Sequence, residues 1–386
     1  MGSIVDPRGQ AAFELGSKRI TWDIISNIWQ PKTNPSGFLS IGMAENTLLH
    51  DTLLKYIRDN FRPSAELLTY NNGSMGSNKP HHVLMANGCF SAIEQLSWTF
   101  LKPGEAVLLG QPYYSTRIAY LTLRPEAVVV PVEMGIIDTL SPEAVGEYEK
   151  AAMRFEERTG KRVRAVMLSN PHNPLGRCLP HATIDGLMSL CQARKMHLIS
   201  DEIYVLSVWH NRVDRGPSSV PFESVLSIDT IDLIDPSVVH VLWGMSKDFG
   251  ANGLRVGAII SQSSPALHTA QKCLSLYSFV SGLSDQITAS IFQNDAVTDR
   301  YIKSNQTKLS ECHEFITQLL DKHGIEYSHG CNAGFFVWVN LGQKYREAHP
   351  GEDDESLTFT DIILQRLLDN RVYSAHGTAY GSEHPG

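Results

Sequence analysis

From about residue 83 onward the apolar positions gather into short runs separated by Gly/Pro/Asn turns and by stretches with helical spacing. The runs are Ala106–Leu109, Ala127–Val132, Arg164–Leu168, His197–Ile199, Val238–Trp243 and Val256–Ile260. Between several of them lie helix-like segments such as Ile184–Arg194. Such alternation predicts a mostly parallel sheet covered by helices on both faces, an α/β architecture. A second helical pattern begins near Pro265 and runs past Leu320. The stretch Gly334–Asn340 then predicts a strand, 342–355 a polar loop, and Thr360–Asn370 a helix. Pro31, Pro35 and Gly37 break any long element near the start, so residues 1–40 are expected to be irregular. The layout predicts a large central domain over residues 51–275. A small α+β domain is expected from both chain ends, 1–50 supplying an N-terminal arm and 276–386 an interdomain helix and the C-terminal part.

Composition narrows the class. At roughly 150 residues per domain, 386 residues suggest two or three domains, and the pattern above favours two. The 33 Lys and Arg against 41 Asp and Glu give a net charge of −8, which argues against binding nucleic acid or anionic membranes. No run of about 18 apolar residues spans a bilayer. The first residues lack the basic and apolar regions of a signal peptide, and Asp6 occupies the position where a myristoylation signal has Ser or Thr. The six cysteines are scattered with no CxxC pair, which predicts reduced thiols and a cytoplasmic protein. No metal site is expected: His81-His82 has no third ligand at a suitable spacing.

Ligands of open α/β sheets bind at the carboxyl ends of the strands, so the polar residues there carry the chemistry. Asn170-Pro-His-Asn-Pro-Leu-Gly176 follows one run, Asp201-Glu-Ile-Tyr204 the next, and Ser246-Lys247-Asp248-Phe-Gly250 a third, with Arg255 beyond it. Singly each has an ordinary reading: a tight turn, a helix N-cap, a surface lysine. Jointly they supply what pyridoxal phosphate (PLP) requires. That cofactor needs a lysine for its Schiff base, a carboxylate facing its ring nitrogen, donors to its ring oxygen, and cations or backbone N–H groups at its phosphate. A dinucleotide-binding enzyme is the competing α/β reading, and it fails for want of a GxGxxG turn after the first strand.

The order Asn173, Asp201, Tyr204, Lys247, Arg255, with gaps of 28, 3, 43 and 8 residues, resembles the fold-type-I PLP enzymes of the class I/II aminotransferase family. The resemblance implies that family's fold: a large PLP domain with a mostly parallel sheet between helices, plus a small domain from both chain ends. It implies Lys247 as the Schiff-base lysine and proton shuttle and Asp201 as the partner of the ring nitrogen. Asn173 and Tyr204 become donors to the ring oxygen, and Arg255, with Ser246 beside the lysine, phosphate ligands. Asn87-Gly-Cys-Phe-Ser-Ala92 stands where the family cradles the phosphate on a helix N-terminus, making Gly88, Cys89 and Phe90 cofactor contacts. Tyr114 matches the aromatic stacked on the ring, against the ordinary reading of a core tyrosine. Tyr70 resembles the tyrosine that reaches the neighbouring subunit's phosphate, which implies a homodimer with shared sites. Cys89 could pass for a catalytic thiol, but a small buried filler is the expected role.

Gly42-Met-Ala-Glu-Asn46 resembles the signature of 1-aminocyclopropane-1-carboxylate (ACC) synthases, which implies Ala44, Glu45 and Asn173 at the substrate, an amino-acid-type small molecule. Ser246-Lys-Asp-Phe-Gly-Ala-Asn-Gly-Leu-Arg-Val-Gly257, Asn332-Ala-Gly-Phe-Phe-Val-Trp338 and Gly377-Thr-Ala-Tyr-Gly-Ser-Glu-His-Pro-Gly386 point the same way. The branch contains ACC synthases, carbon–sulfur lyases and ordinary aminotransferases, all beginning with loss of the Cα proton. A carbon–sulfur lyase is the expected activity, with an aminotransferase as the alternative and a catalytically silent PLP-fold binding module as the reading of another class.

Three departures bear on this. Gly244 and Phe90 replace two hydroxyl-bearing phosphate ligands of the family, so weaker PLP retention is expected. Only Ser-Asn-Lys-Pro-His-His lies between Gly76 and Val83, where the family has a helix. The chain ends at Gly386, before the family's substrate-carboxylate arginine, and is expected to be truncated there.

Overall fold

A computed structural model describes residues 6–17, 20–68, 82–214, 219–350 and 359–382. Its centre is a seven-stranded sheet: β1 (Val83–Asn87), β2 (Ala106–Gly110), β3 (Val128–Val132), β4 (Val163–Ser169), β5 (His197–Asp201), β6 (Val239–Gly244) and β7 (Val256–Ile260). The spatial order is β1-β7-β6-β5-β4-β2-β3, with β7 antiparallel to both neighbours and the other pairings parallel. The expected α/β class, a mostly parallel sheet between helices, is therefore what the chain adopts. β1 was absent from the apolar runs picked out by sequence; its residues are only half-buried until Ala86.

The continuous apolar runs arise because both faces of the sheet are covered. Val166 and Leu168 of β4 pack with Tyr148, Phe155, Ile184 and Leu187, from helices Ala144–Thr159 and His181–Arg194. The alternate residues Ala165 and Met167 face Ile93, Leu96, Leu121 and Leu267, from helices Gly88–Phe100, Arg117–Thr122 and Pro265–Leu274. Period-two alternation thus divides one strand between two cores, each closed by its own helices.

The 29-residue helix Asp295–His323 is started by the Asn294 side chain and ended by Gly324 in the left-handed conformation. It docks through Tyr301, whose hydroxyl donates to the Phe249 carbonyl at 2.8 Å. The two chain ends meet in a small parallel pair, Leu39–Ser40 against Val372–Tyr373.

Three local expectations need correction. The first 40 residues contain helices Pro7–Ser17 and Thr21–Ser26, because the breakers begin only at Pro31 and a proline at the first helical position needs no N–H partner. Of Gly334–Asn340 only Val339–Asn340 pairs, antiparallel with Glu326–Tyr327. Gly334 adopts φ 68°, and Phe335 and Phe336 turn their rings onto Tyr204 instead of into a sheet. The expected polar loop after Asn340 begins as helix Leu341–Ala348: the Asn340 side chain accepts from the Gln343 N–H, and Gln343 and Lys344 both bond Glu347.

Candidate active site

The carboxyl ends of β4, β5 and β6 lie side by side, Ser169 pairing with Asp201 and Asp201 with Leu242. This register gathers residues far apart in sequence. Asp201 ends β5, buried, with Oδ1 accepting from the Ile203 N–H at 3.3 Å and Oδ2 from Arg117 Nη2 at 2.5 Å. Tyr204 follows, buried and edge-on to Phe336 at 5.2 Å between centroids and to Phe335 at 5.5 Å. Burial raises its hydroxyl well above the usual value, so it is a neutral hydrogen-bonding group.

β6 leads directly into the short helix Met245–Asp248, which carries Ser246 and Lys247. Lys247 Nζ donates to the Ala44 carbonyl at 2.6 Å. Burial pulls this ammonium below its ordinary value, opposed by the negative charges of Glu45 and Asp201. The helix is locked from beneath by Asp248, whose buried carboxylate accepts from Ser207 Oγ at 2.7 Å, the Leu206 N–H and Trp243 Nε1. Burial raises Asp248 to about 7.

At the other side of Lys247, the start of β7 meets the ends of β1 and β6. Gly257 pairs with both Ala86 and Gly244, and Arg255 stands just before it in the left-handed region at φ 54°. Gly88, at φ 76°, opens the helix Gly88–Phe100 directly beneath the Arg255 guanidinium, which a Cβ would strike. A Cβ at Gly257 would lie 2.7 Å from the Cys89 N, and one at Gly244 2.6 Å from the Val256 carbonyl. The corner is therefore floored by glycine backbone, opened by a helix N-terminus and walled by an arginine, the form of an anion cradle.

The residues expected from sequence divide as follows. Asp201, Tyr204, Lys247, Arg255, Gly88 and Cys89 converge, and Ala44 touches Lys247 directly. Asn173 is buried in a small cavity with Ser169, His172 and Arg117. Ser246 is buried beside Lys247. Tyr114 is half-buried, 6.4 Å from Tyr380 between centroids. Glu45 is exposed and held by Asn252 Nδ2 at 2.8 Å. Phe90 does not point inward: it is exposed, stacked on Tyr120 at 4.4 Å with the Arg255 guanidinium over its ring. Only its backbone is left to face the cradle. Cys89 is buried, and burial raises its thiol far above the usual value, which suits a packing group and not a nucleophile. Tyr70 and His81 lie outside the described residues. Among the described residues no cluster of three metal-ligating side chains occurs, and no helix is long and apolar enough to cross a membrane.

Sequence reasoning missed Arg117 and Tyr380. Arg117 lies three residues after Tyr114 but carries no motif of its own, and its partner is 84 positions away. Tyr380 joins the site through the Tyr113 N–H, which donates to its carbonyl at 2.9 Å, and packs edge-on against Trp338. It falls inside the C-terminal stretch Gly377–Gly386 that resembles the ACC-synthase branch, so the signal for it was present but unresolved.

An enclosed lysine, a strand-end carboxylate and a glycine-floored cradle form the set that fold-type-I PLP enzymes need, and the fold is theirs. The chain belongs to the aminotransferase class I and II family, which it matches over residues 62–386. Its cofactor is pyridoxal 5′-phosphate. It is 30% identical over 370 residues to 1-aminocyclopropane-1-carboxylate synthase 7 of Arabidopsis thaliana, covering 94% of this chain and 78% of that protein. It is also 30% identical to the probable aminotransferase sirI of Leptosphaeria maculans, covering 86% and 84% respectively. Among solved structures, Bna3p, a putative kynurenine aminotransferase of Saccharomyces cerevisiae, superposes with a TM-score of 0.74 at 18% identity over 98% of this chain and 91% of that one. The chain is thus an ACC-synthase-like member of a PLP-dependent enzyme family.

Proposed function

We propose that the protein is a carbon–sulfur lyase acting on an amino acid that carries a thioether or sulfonium. The observation that carries this reading is the 2.6 Å hydrogen bond from Lys247 to Ala44, which sets the Gly42–Asn46 turn and the Glu45 carboxylate against the proton-transferring amine. A negative charge at that place suits a positively charged substituent near the substrate's reacting carbons. The similarity to an ACC synthase supports the same reading.

Bound at this site, PLP supplies an electron sink for charge developing at the substrate Cα. The chain's residues do the rest. The glycine-floored corner at Gly88, Cys89 and the Phe90 backbone, with Arg255 and Ser246, binds the phosphate. Asp201 would hold the proton at the ring nitrogen, Asn173 and Tyr204 would donate to the ring oxygen, and Tyr114 would pack against the ring. Lys247 is the attachment point and takes the Cα proton; its lowered proton affinity leaves more of it neutral and able to do so. The electron pair left at Cα would then form a new bond to the carbon that carries sulfur, as the carbon–sulfur bond breaks and sulfur leaves with its own bonding pair. Ala44 and Glu45 line the substrate side.

The protein is further proposed to work as a homodimer in which Tyr70 reaches the partner's phosphate cradle. Leu276, Tyr277 and Phe279 support this: all three are exposed, and the segment touches the cradle through the Asn87 N–H to the Ser278 carbonyl. The division into residues 1–50, 51–275 and 276–386 is proposed with it, supported by the pairing of Leu39–Ser40 with Val372–Tyr373.

The test is product analysis with S-adenosylmethionine, cysteine thioethers and common amino acids plus a keto-acid acceptor. Release of a thiol or thioether is the expected result. An aminated acceptor without sulfur release makes the protein an aminotransferase, and cofactor binding with no turnover makes it a silent module.

A further inference from the structure

We propose that Arg117 is a positioning residue for the reaction: its buried ion pair with Asp201 loosens the hold of that carboxylate on the proton at the cofactor's ring nitrogen. The inference rests on the reading of Asp201 as the ring-nitrogen partner.

The Arg117 side chain is 4% exposed and the Asp201 side chain 8%, so water screens neither charge. Arg117 Nη2 bonds Asp201 Oδ2 at 2.5 Å and Ser169 Oγ at 2.6 Å, while its buried Nε has no partner. The guanidinium charge is thus aimed at one carboxylate. The titratable groups facing Asp201 are the Arg117 guanidinium, the Lys247 amine, whose proton affinity burial lowers, and Tyr204, Cys89 and Glu202, whose proton affinities burial raises. His172, in the same cavity, feels the cation as well: burial first, and then Arg117 and Arg177, push it down to about 3.

Stability alone does not account for a charged pair here, since buried ion pairs are often no better than well-packed apolar residues. Its chemical effect is definite in sign. A fixed cation beside the carboxylate repels a proton on the ring nitrogen and weakens the carboxylate's attraction for it. The electron sink becomes shallower. Charge developing at the substrate Cα is then relieved by expelling a sulfur leaving group with its electron pair, in preference to a slow return of the proton. Arg117 would therefore bias the site toward elimination and away from amino transfer.

The experiment loads cofactor labelled with ¹⁵N in the ring into the wild type, R117M, R117Q, R117K and D201N, and records the ring-nitrogen signal by NMR. Circular dichroism and cofactor stoichiometry establish that each variant is folded and loaded. The expected wild-type signal lies between the neutral and fully protonated limits. R117M and R117Q should move it toward the protonated limit, and R117K, which keeps the cation, should hold it near the wild type. A wild-type signal already at the protonated limit overturns the proposal, and needs no variant to fold. So does a signal that R117M or R117Q leaves in place while D201N shifts it. If D201N itself moves nothing, the reading of Asp201 falls, and the proposal with it.

Discussion

The ammonium of Lys247 donates a 2.6 Å hydrogen bond to the carbonyl of Ala44, 203 positions earlier in the chain. One contact thereby joins the strand-end lysine to the N-terminal turn that carries Glu45. Replacement of the lysine tests the role proposed for it. Lys247→Ala should bind PLP without the borohydride-reducible link, and lose turnover by at least the roughly 10²–10⁴-fold typical of a general base. Visible spectroscopy before and after borohydride, with single-turnover kinetics, reads both effects.

Phe90 and Gly244 both stand where the family has hydroxyls, yet the structure separates them. Phe90 is exposed and its ring lies under the Arg255 guanidinium, so Phe90→Ser should fit, and the shorter side chain, freed from Tyr120, can turn toward Arg255 and serve as a phosphate donor. Hydrogen bonds to charged groups contribute about 1.5–3 kcal/mol, so cofactor retention should tighten roughly tenfold or more. The lost stack on Tyr120 should cost about 0.5–1.5 kcal/mol of stability. Gly244→Ser should fail differently. Its Cβ would stand 2.6 Å from the Val256 carbonyl and 3.2 Å from Cys89 Sγ, and overpacking of this kind costs about 1–3 kcal/mol. Equilibrium dialysis of PLP and thermal unfolding of both variants check the contrast.

Glu45 is held by Asn252 at the edge of the site and is exposed, so its field is partly screened. Glu45→Gln should raise KM about fivefold for a sulfonium substrate, in keeping with a single charge interaction of about 1 kcal/mol in water. A neutral thioether substrate should be unaffected. Equal effects on both substrates would remove the electrostatic role.

Behind the sheet His197 and His240 lie ring to ring, joined by a 3.1 Å Nδ1–Nε2 contact and stacked on Phe100 at 4.0 and 4.9 Å. Burial holds them neutral, His197 pushed down to about 4 and His240 to about 3. Their ordinary value is 6.5, so below it the unfolded chain takes protons that the folded one refuses. The stability they contribute is complete above pH 6.5 and is lost as pH falls through the folded values. Glu202 and Asp248, both raised to about 7, act in the opposite direction, but identically in a variant that keeps them. His240→Gln should therefore flatten the acid dependence between pH 6.5 and 4 by up to about 1.4 kcal/mol per pH unit. Urea unfolding at several pH values compares the slopes; parallel slopes would contradict the buried neutral pair.

Much of the sheet was legible because burial of both faces writes each strand as a continuous apolar run, β7 being read to the residue as Val256–Ile260. The edge strand β1 carries an apolar run as well, Val83–Ala86, although only Ala86 is fully buried. The C-terminal aromatic stretch misled. Phe335 and Phe336 are apolar because they pack on Tyr204, not because they alternate across a sheet.

The sequence by itself determined the architecture and the order Asn173, Asp201, Tyr204, Lys247, Arg255: the first four follow the carboxyl ends of adjacent parallel strands, where ligands of open α/β sheets bind, and Arg255 opens the antiparallel strand that returns beside them. Only the tertiary structure decided which way Phe90 points, that Ala44 meets Lys247, and that Arg117 meets Asp201. Those contacts join segments 84 and 203 positions apart. No local pattern encodes them: they exist only once strand register and helix docking have brought a particular side chain to a particular partner.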